Sequence, residues 1–181
     1  MRKVVMGLFM SLDGVVESPS SWASPYFNDD LVDWIGAGLP HADAILLGRR
    51  TYLEFAELWP GQSGSVPMAE FLNNTNKHVV SSKLNTLDWG PASLVQGDLA
   101  HELHKLKQQP GKNIQIPGSP TLVRSLRRDG LLDELSLAIC PIVVGSGMRL
   151  FEEMAKQVPL ELADSRALSS GVLALTYQPA R

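Results

Sequence analysis

The sequence predicts a three-layer α/β fold with a mainly parallel central sheet and antiparallel strands added at the carboxyl-terminal end. Up to Gly130, apolar runs of strand length alternate with segments of helical periodicity, a pattern typical of parallel sheets. One of these runs, Ala44–Leu47, is apolar at every position, as in a strand covered on both faces. After Gly130 strand patterns follow one another, which favours antiparallel pairing.

The strands are predicted from apolar runs that stop at glycine, proline or polar turn residues. The first run is followed by the turn Asp13-Gly14, and the last two flank the turn Ser169–Gly171. In chain order the predicted strands are Val4–Met10, Ala44–Leu47, His78–Val80, Ala92–Val95, Asn113–Ile116, Leu135–Val144, Leu160–Ala167 and Val172–Tyr177.

The helices are predicted from caps and from apolar residues three and four positions apart. Asn28 or Asp29 caps a helix that ends at Gly36 or Gly38, and Asp98 caps another. Ser119 followed by Pro120 is a strong helix start, an N-cap serine before a proline in the first turn. The remaining predicted helices are Thr51–Trp59 and Arg149–Ala155, and the polar stretches Ser18–Pro25 and Pro60–Pro67 are predicted loops.

The length, charge and cysteine content limit the number of domains and the classes of partner. Its 181 residues predict one domain, 1–181. The net charge of -3 and the absence of a long basic run argue against a nucleic-acid partner. No stretch approaches the roughly 18 apolar residues of a membrane span. The single cysteine, Cys140, cannot form an internal disulfide, so we expect a cytoplasmic protein.

Three predicted strand ends carry residues that suit an anion. They are Gly48-Arg49-Arg50-Thr51, Ser81-Ser82-Lys83 and Gly118-Ser119-Pro120. Glycine allows a close turn, a helix N-terminus offers free N–H groups, and arginine adds bidentate donors. Each motif alone is equally compatible with a solvated turn, but ligands of open α/β sheets bind where such strand ends converge. Neither a G-x-G-x-x-G after the first strand nor a Walker A loop is present.

Six segments in order resemble landmarks of the dihydrofolate reductase-like superfamily. The last two are most similar to the reductase domain of the bifunctional riboflavin-biosynthesis deaminase–reductase and its stand-alone relatives. The segments are Ser11–Gly14, Leu47–Tyr52, Val80–Ser82, Ile116–Leu122, Gly130–Leu135 and Pro141–Phe151.

The resemblance implies that NADPH binds across the carboxyl edge of the sheet. It assigns Gly48, Arg49 and Thr51 to the cofactor phosphates, and Ser81, Ser82 and Lys83 to the adenosine 2′-phosphate. It places Gly118 and Ser119 beside the pyrophosphate, and Val15, Val16 and Glu17 beside the nicotinamide. The superfamily often has Gly-Gly where this chain has Gly118-Ser119.

Two acids are catalytic candidates. Dihydrofolate reductases carry a carboxylate on the first helix, where counting back from Gly48 gives Val32, and a shift of one residue gives Asp33. Asp13 ends the first strand near the expected nicotinamide, although an Asp-Gly turn explains it equally well. Asp29 and Asp30 are interpreted as cap residues of the first helix.

Trp22, in a Ser- and Pro-rich loop, is the candidate substrate-binding aromatic. His101 and His104 have a helical spacing that suits a metal, but no third ligand is near them in sequence, so no metal site is predicted.

Together these features predict an NADPH-dependent reductase that transfers hydride to a small heterocyclic or carbonyl-type compound. The alternatives are the riboflavin-pathway 5-amino-6-(5-phosphoribosylamino)uracil reductase, dihydrofolate reductase, and a nucleotide-binding protein without turnover. The resemblance further implies a homodimer that pairs through the sheet and C-terminal strands.

Overall fold

Eight strands form one sheet in the computed structural model, which describes residues 1–62, 64, 67–151 and 157–180. The strands are β1 (Val4–Ser11), β2 (Ala42–Gly48), β3 (Asn76–Val80), β4 (Ala92–Val95), β5 (Asn113–Ile116), β6 (Glu134–Cys140), β7 (Leu160–Ala167) and β8 (Leu173–Pro179). Their spatial order is β4-β3-β2-β5-β1-β6-β8-β7.

The first six strands of this order are parallel, and β8 and β7 are added antiparallel to β6. Parallel pairing brings the carboxyl ends of β1 to β6 to one side of the sheet, which we call the carboxyl edge. The predicted fold class is therefore confirmed, including the antiparallel C-terminal strands.

Five α-helices connect the strands of the described chain: α1 (Asp29–Gly38), α2 (Arg49–Leu58), α3 (Pro67–Asn74), α4 (Leu99–Gln108) and α5 (Pro120–Arg128). The predicted caps of α1 and α4 are confirmed. The Asn28 side chain accepts a hydrogen bond from the amide of Leu31, and Asp98 accepts from Ala100 and His101. These bonds satisfy first-turn N–H groups that lack a partner within the helix.

Apolar side chains cover both faces of the sheet. On β2, Leu46 packs in the cluster beneath α4 and α5, whereas Ile45 and Leu47 pack in the cluster beneath α2 and α3. A third cluster joins α1 to β6 and β8. This alternation explains why β2 is apolar at successive positions, and it gives the three layers that were predicted.

Three element predictions differ from the structure. The sixth strand ends at Cys140 rather than Val144, because Pro141 has no N–H to donate to the ladder. The helix α3 was not predicted, although Ala69 and Leu72 are fully buried. Residues 149–151 of the predicted helix Arg149–Ala155 are not helical, and the rest of it lies outside the described residues.

Within the described residues, no helix combines the length and apolarity needed to cross a membrane.

Candidate active site

Two helices begin at the carboxyl edge from neighbouring strands. The strand β2 ends at Gly48 and leads directly into α2, and β5 leads through Gly118 and Ser119 into α5. No side chain of the N-cap residues Gly48 and Ser119 bonds to the first turn of either helix. Two helix N-termini without a side-chain cap therefore lie side by side, and the partial positive charge of both favours an anion between them.

The turns that precede α2 and α5 are in direct contact. A Cβ atom placed on Gly48 would lie 2.1 Å from Ser119 Oγ, and one placed on Gly118 would lie 3.1 Å from Thr51 Cγ2. Glycine at these two positions leaves the space that the side chains of Ser119 and Thr51 occupy. The structure thus brings together four of the predicted phosphate-binding residues, Gly48, Thr51, Gly118 and Ser119.

Ser119 occupies the N-cap position that the Ser-Pro pattern predicts, but its side chain does not cap the helix. Its backbone is left-handed, with φ 78° and ψ 74°, and its hydroxyl makes no capping bond. This region of backbone space costs about 1–2 kcal/mol for a residue with a Cβ, whereas glycine adopts it freely. This conformation gives a physical reason for the second glycine that the superfamily often carries at this place.

A cleft of about 350 Å³ opens beside the start of α2. Its lining comes from the carboxyl ends of β3 and β4 as well as from α2: Arg49, Val80, Ser81, Ser82, Lys83, Val95, Gln96 and Gly97. The three residues predicted to surround the 2′-phosphate, Ser81, Ser82 and Lys83, line this cleft together with Arg49, which was predicted to hold the cofactor phosphates. Gln96 and Gly97 were missed, although the predicted strand Ala92–Val95 ends at the same edge.

Ser81 and its two neighbours have different places in the cleft. The Ser81 side chain is buried, and its hydroxyl oxygen accepts hydrogen bonds from the amides of Lys83 (3.1 Å) and Leu84 (3.0 Å). Ser82 and Lys83 are exposed. Ser81 therefore holds the turn that presents a hydroxyl and an ammonium group to the cleft.

The segment after β1 is tied to the segment after β6. Val15 and Val16 are buried, and the amide of Val16 donates to Met148 O at 2.9 Å. The Glu17 carboxylate accepts a hydrogen bond from the amide of Met148 at 3.0 Å. The predicted nicotinamide residues thus lie where β1 and β6 end, in a loop pair fixed by backbone hydrogen bonds.

The Asp13 carboxylate joins these two segments. It accepts hydrogen bonds from the Ser11 hydroxyl (2.6 Å) and from the amides of Val144 (3.0 Å) and Gly145 (2.9 Å), and Arg149 Nη2 lies 3.6 Å away. The Ser11 hydroxyl and the two amides lower the pKa of Asp13 from its usual 3.8 to about 2. A carboxyl with this pKa stays ionised near neutral pH and has no proton to donate. These contacts give Asp13 a positioning role in the loop pair, and its predicted catalytic role stays a prediction.

We expect Asp13→Asn to loosen the loop pair, because an amide nitrogen would face a backbone N–H in place of one carboxylate oxygen. Hydrogen exchange at the Val144 and Gly145 amides should become faster, while the amides of β1 exchange as before. Because the folded pKa is depressed, the contribution of Asp13 is present above pH 3.8 and is lost as the pH falls toward 2. Unchanged exchange at both amides would assign Asp13 to the turn alone.

The acids of α1 also differ from one another. The Asp30 carboxylate accepts a hydrogen bond from the amide of Ser169 at 3.0 Å, which joins α1 to the β7–β8 turn. The Ser169 side chain and, after it, the Ser169 amide lower the pKa of Asp30 from its usual value. Asp29 lies in the first turn of α1, where a negative charge is stabilising. Asp33 is exposed on the same helix, so its carboxylate is the accessible candidate acid.

Trp22 is only 7% exposed and packs with Leu31 and Cys140, while its indole N–H donates to Glu17 O at 3.0 Å. The predicted substrate contact therefore does not fit the structure, which places this indole in the core beneath the loop pair. His104 Nδ1 lies 2.8 Å from the carbonyl of Ala100. Among the described residues, no three His, Cys, Asp or Glu side chains form a group that could hold a metal.

The chain is similar to a known protein family, to a bacterial relative and to solved structures. The model of the RibD C-terminal domain family matches residues 2–174. The uncharacterized protein YyaP of Bacillus subtilis (strain 168) is 28% identical, over 97% of this chain and 94% of its own length. A crystal structure of a putative riboflavin biosynthesis protein from Shewanella sp. PV-4 superposes with a TM-score of 0.79 at 22% identity, over 99% of both chains. Dihydrofolate reductase from Enterococcus faecalis, complexed with NADP(H) and RAB-propyl, gives 0.65 at 13% identity, over 99% of this chain and 97% of that one.

Proposed function

Because the chain belongs to the RibD C-terminal domain family, a family of reductase domains with a dihydrofolate reductase-like fold, we propose that it is an NADPH-dependent reductase of a small heterocyclic or carbonyl-type compound. The observation that carries this proposal is the pair of adjacent helix N-termini at Gly48 and Ser119, beside a cleft lined by Arg49 and Lys83.

The donor groups in this region suit a dinucleotide with a 2′-phosphate. The first turns of α2 and α5 offer N–H groups to the pyrophosphate, and Thr51 adds a hydroxyl. Arg49, Ser82 and Lys83 in the cleft suit the additional phosphate, because charge-assisted hydrogen bonds to phosphate are the strongest in this class. The cleft lining contains no aspartate or glutamate that would hold a bare ribose.

The protein would position the reacting groups, and the bound cofactor would supply the hydride. In this proposal Val15, Val16 and Glu17 border the nicotinamide at the ends of β1 and β6. Asp13 and Glu17 keep that border in place through the amides of Val144, Gly145 and Met148. The exposed carboxylate of Asp33 is the group we propose to assist protonation of the substrate.

Cofactor titration tests this proposal. We expect the protein to bind NADPH at least tenfold more tightly than NADH, which corresponds to about 1.4 kcal/mol and is less than one charge-assisted hydrogen bond contributes. Quenching of tryptophan fluorescence or calorimetry measures both affinities. Equal affinities would contradict the proposed role of the cleft, and the absence of binding by either cofactor would contradict the function.

We further propose that the chain forms a homodimer through β7 and β8. The strand β7 lies at the edge of the sheet, and all eight of its residues are exposed. Some of these exposed side chains are apolar. Leu162 is 53% exposed and Leu173 of β8 is 44% exposed. An uncovered edge strand of this kind readily pairs with another chain, and two-fold pairing is the commonest form of assembly.

Light scattering at micromolar concentration should therefore give about twice the 19.7 kDa mass of one chain. Leu162→Lys places a charge on the pairing surface and should give the single-chain mass. Leu58→Lys is the matched control, because Leu58 of α2 is also 53% exposed but lies away from the edge strand. A single-chain mass for the unaltered protein would refute the dimer.

A further inference from the structure

Charge is divided unevenly along the carboxyl edge. Residues 4–48 contain none of the 16 lysines and arginines of the chain but six of its 19 acidic residues. This stretch supplies β1, the loop after it, α1 and β2. Residues 129–148, which supply β6 and most of the loop after it, also contain no lysine or arginine. Up to Arg149, the elements that form the β1, α1 and β6 half of the edge therefore contribute no lysine or arginine of their own.

The arginine that follows this second stretch is already occupied by protein groups. Arg149 donates from Nε to the carbonyl of Asp13 at 2.9 Å and from Nη2 to the carbonyl of Gly145 at 3.3 Å, and it pairs with the Asp13 carboxylate. Two arginines of α5 approach the same loop from the other side. Arg124 donates to the carbonyl of Arg149, and the guanidinium of Arg127 lies 5.4 Å from the ring centre of Phe151.

The carboxylates of this half lie on the elements that would border a substrate. They belong to Asp13, Glu17, Asp29, Asp30 and Asp33. Two of them have a basic partner, since Arg149 pairs with Asp13 and Arg166 of β7 attracts Asp30. The cofactor half has the opposite character, since Arg49 and Lys83 line its cleft.

Apolar side chains are exposed among these acids. Leu12 is 67% exposed in the loop after β1, and Val143 is 67% exposed in the loop after β6. Phe27, which is 51% exposed, lies just before α1 with its ring 5.2 Å from that of Phe9 on β1. Such a surface suits a flat apolar ring system and offers little to a strongly hydrated anion.

From this division we propose that the substrate carries no phosphate, and is an uncharged or cationic planar heterocycle. The inference rests on the proposed function, because it concerns the compound that meets the nicotinamide side of that site. A phosphate monoester brings a charge of about -1.5 to -2 at neutral pH beside five carboxylates, and the arginines that act on two of them, Arg149 and Arg166, are already engaged with Asp13 and Asp30. The phosphoribosyl substrate of the riboflavin pathway is thereby disfavoured for this chain.

The test uses matched pairs of compounds on the NADPH-bound protein. Phosphate-free pyrimidine and pteridine compounds are each compared with their phosphate ester, including 5-amino-6-(5-phosphoribosylamino)uracil and its dephosphorylated form. Calorimetry should show tighter binding of the phosphate-free member, by about tenfold at low salt. This preference should shrink as the ionic strength rises, because salt screens the repulsion.

A variant pair locates the effect. Asp33→Asn removes an exposed carboxylate of α1 and should reduce the preference by about twofold. Asp88→Asn makes the same change at an exposed residue before β4, at the opposite edge of the sheet, and should leave the preference as it is. Equal effects of the two substitutions would show that net charge, and not this half of the edge, sets the preference, which would overturn the proposal.

Tighter binding of the phosphate esters would also overturn it, as would a preference that does not depend on salt. If no phosphate-free compound bound even in the millimolar range, the assigned class would be wrong. These outcomes are distinct from failure of the proposed function, which would already appear as an absence of NADPH binding before any second compound is added.

Discussion

Arg49→Ala should weaken NADPH binding by about ten- to a hundredfold and change NADH binding much less. Arg49 begins α2 and lines the cleft with Ser82 and Lys83, so its guanidinium can donate to the additional phosphate of NADPH in that cleft. One charge-assisted hydrogen bond contributes about 1.5–3 kcal/mol, which is a factor of roughly ten to a hundred in affinity. NADH lacks the additional phosphate and loses only the longer-range attraction.

Arg50→Ala is the matched control for this experiment. Arg50 is the next residue of α2, but its side chain is 71% exposed and lies 4.0 Å from Glu54 on the helix surface. Such an exposed pair contributes little, so Arg50→Ala should leave both affinities within about twofold. A similar loss of NADPH and NADH binding on Arg49→Ala would mean that Arg49 serves the fold of α2 instead of the 2′-phosphate. Titration of both variants with both cofactors separates these outcomes.

The strands and most helices could be predicted because their signals are local. Apolar runs identify β1 to β5, and the caps Asn28 and Asp98 identify the starts of α1 and α4 within a few residues. The helix α3 gave a weaker signal. It has eight residues and follows a stretch of sequence rich in glycine and serine, and Ala69 and Leu72 are fully buried.

The roles of individual side chains depended on contacts far apart in the sequence. The amides that bind the Asp13 carboxylate belong to residues 131 and 132 positions away, so the sequence could show only the local Asp-Gly turn. The sequence around Trp22 is polar, yet the Trp22 indole is buried against residues of α1 and β6. Ser119 has a local N-cap pattern, which the sequence shows. Its left-handed backbone and its contact with Gly48 arise where the two turns meet at the carboxyl edge, which the sequence does not show.

The contact between those two turns can be tested by substituting its two closest residues. Gly48→Ala places a Cβ 2.1 Å from Ser119 Oγ and 3.0 Å from Ser119 Cβ, so the Ser119 hydroxyl must rotate away and the starts of α2 and α5 must shift slightly apart. Such overpacking typically costs about 1–3 kcal/mol of unfolding free energy. Because the same movement separates the two helix N-termini, NADPH affinity should also fall by about tenfold.

Ser119→Gly should reverse much of this loss. Alone, it relieves the left-handed backbone of Ser119 and should leave the protein as stable as before or more stable by up to about 1 kcal/mol. Combined with Gly48→Ala, it removes the atoms that the new Cβ meets, so the double variant should recover NADPH affinity and most of the stability. Urea unfolding and cofactor titration of all four proteins give the coupling energy, which we expect to exceed about 1 kcal/mol.

Gly36→Ala in α1, where a Cβ meets nothing within 4 Å, is the control for adding a methyl group and should be neutral or stabilising. Additive effects of Gly48→Ala and Ser119→Gly would show that the two turns do not depend on each other, and the cofactor cradle would then need another explanation.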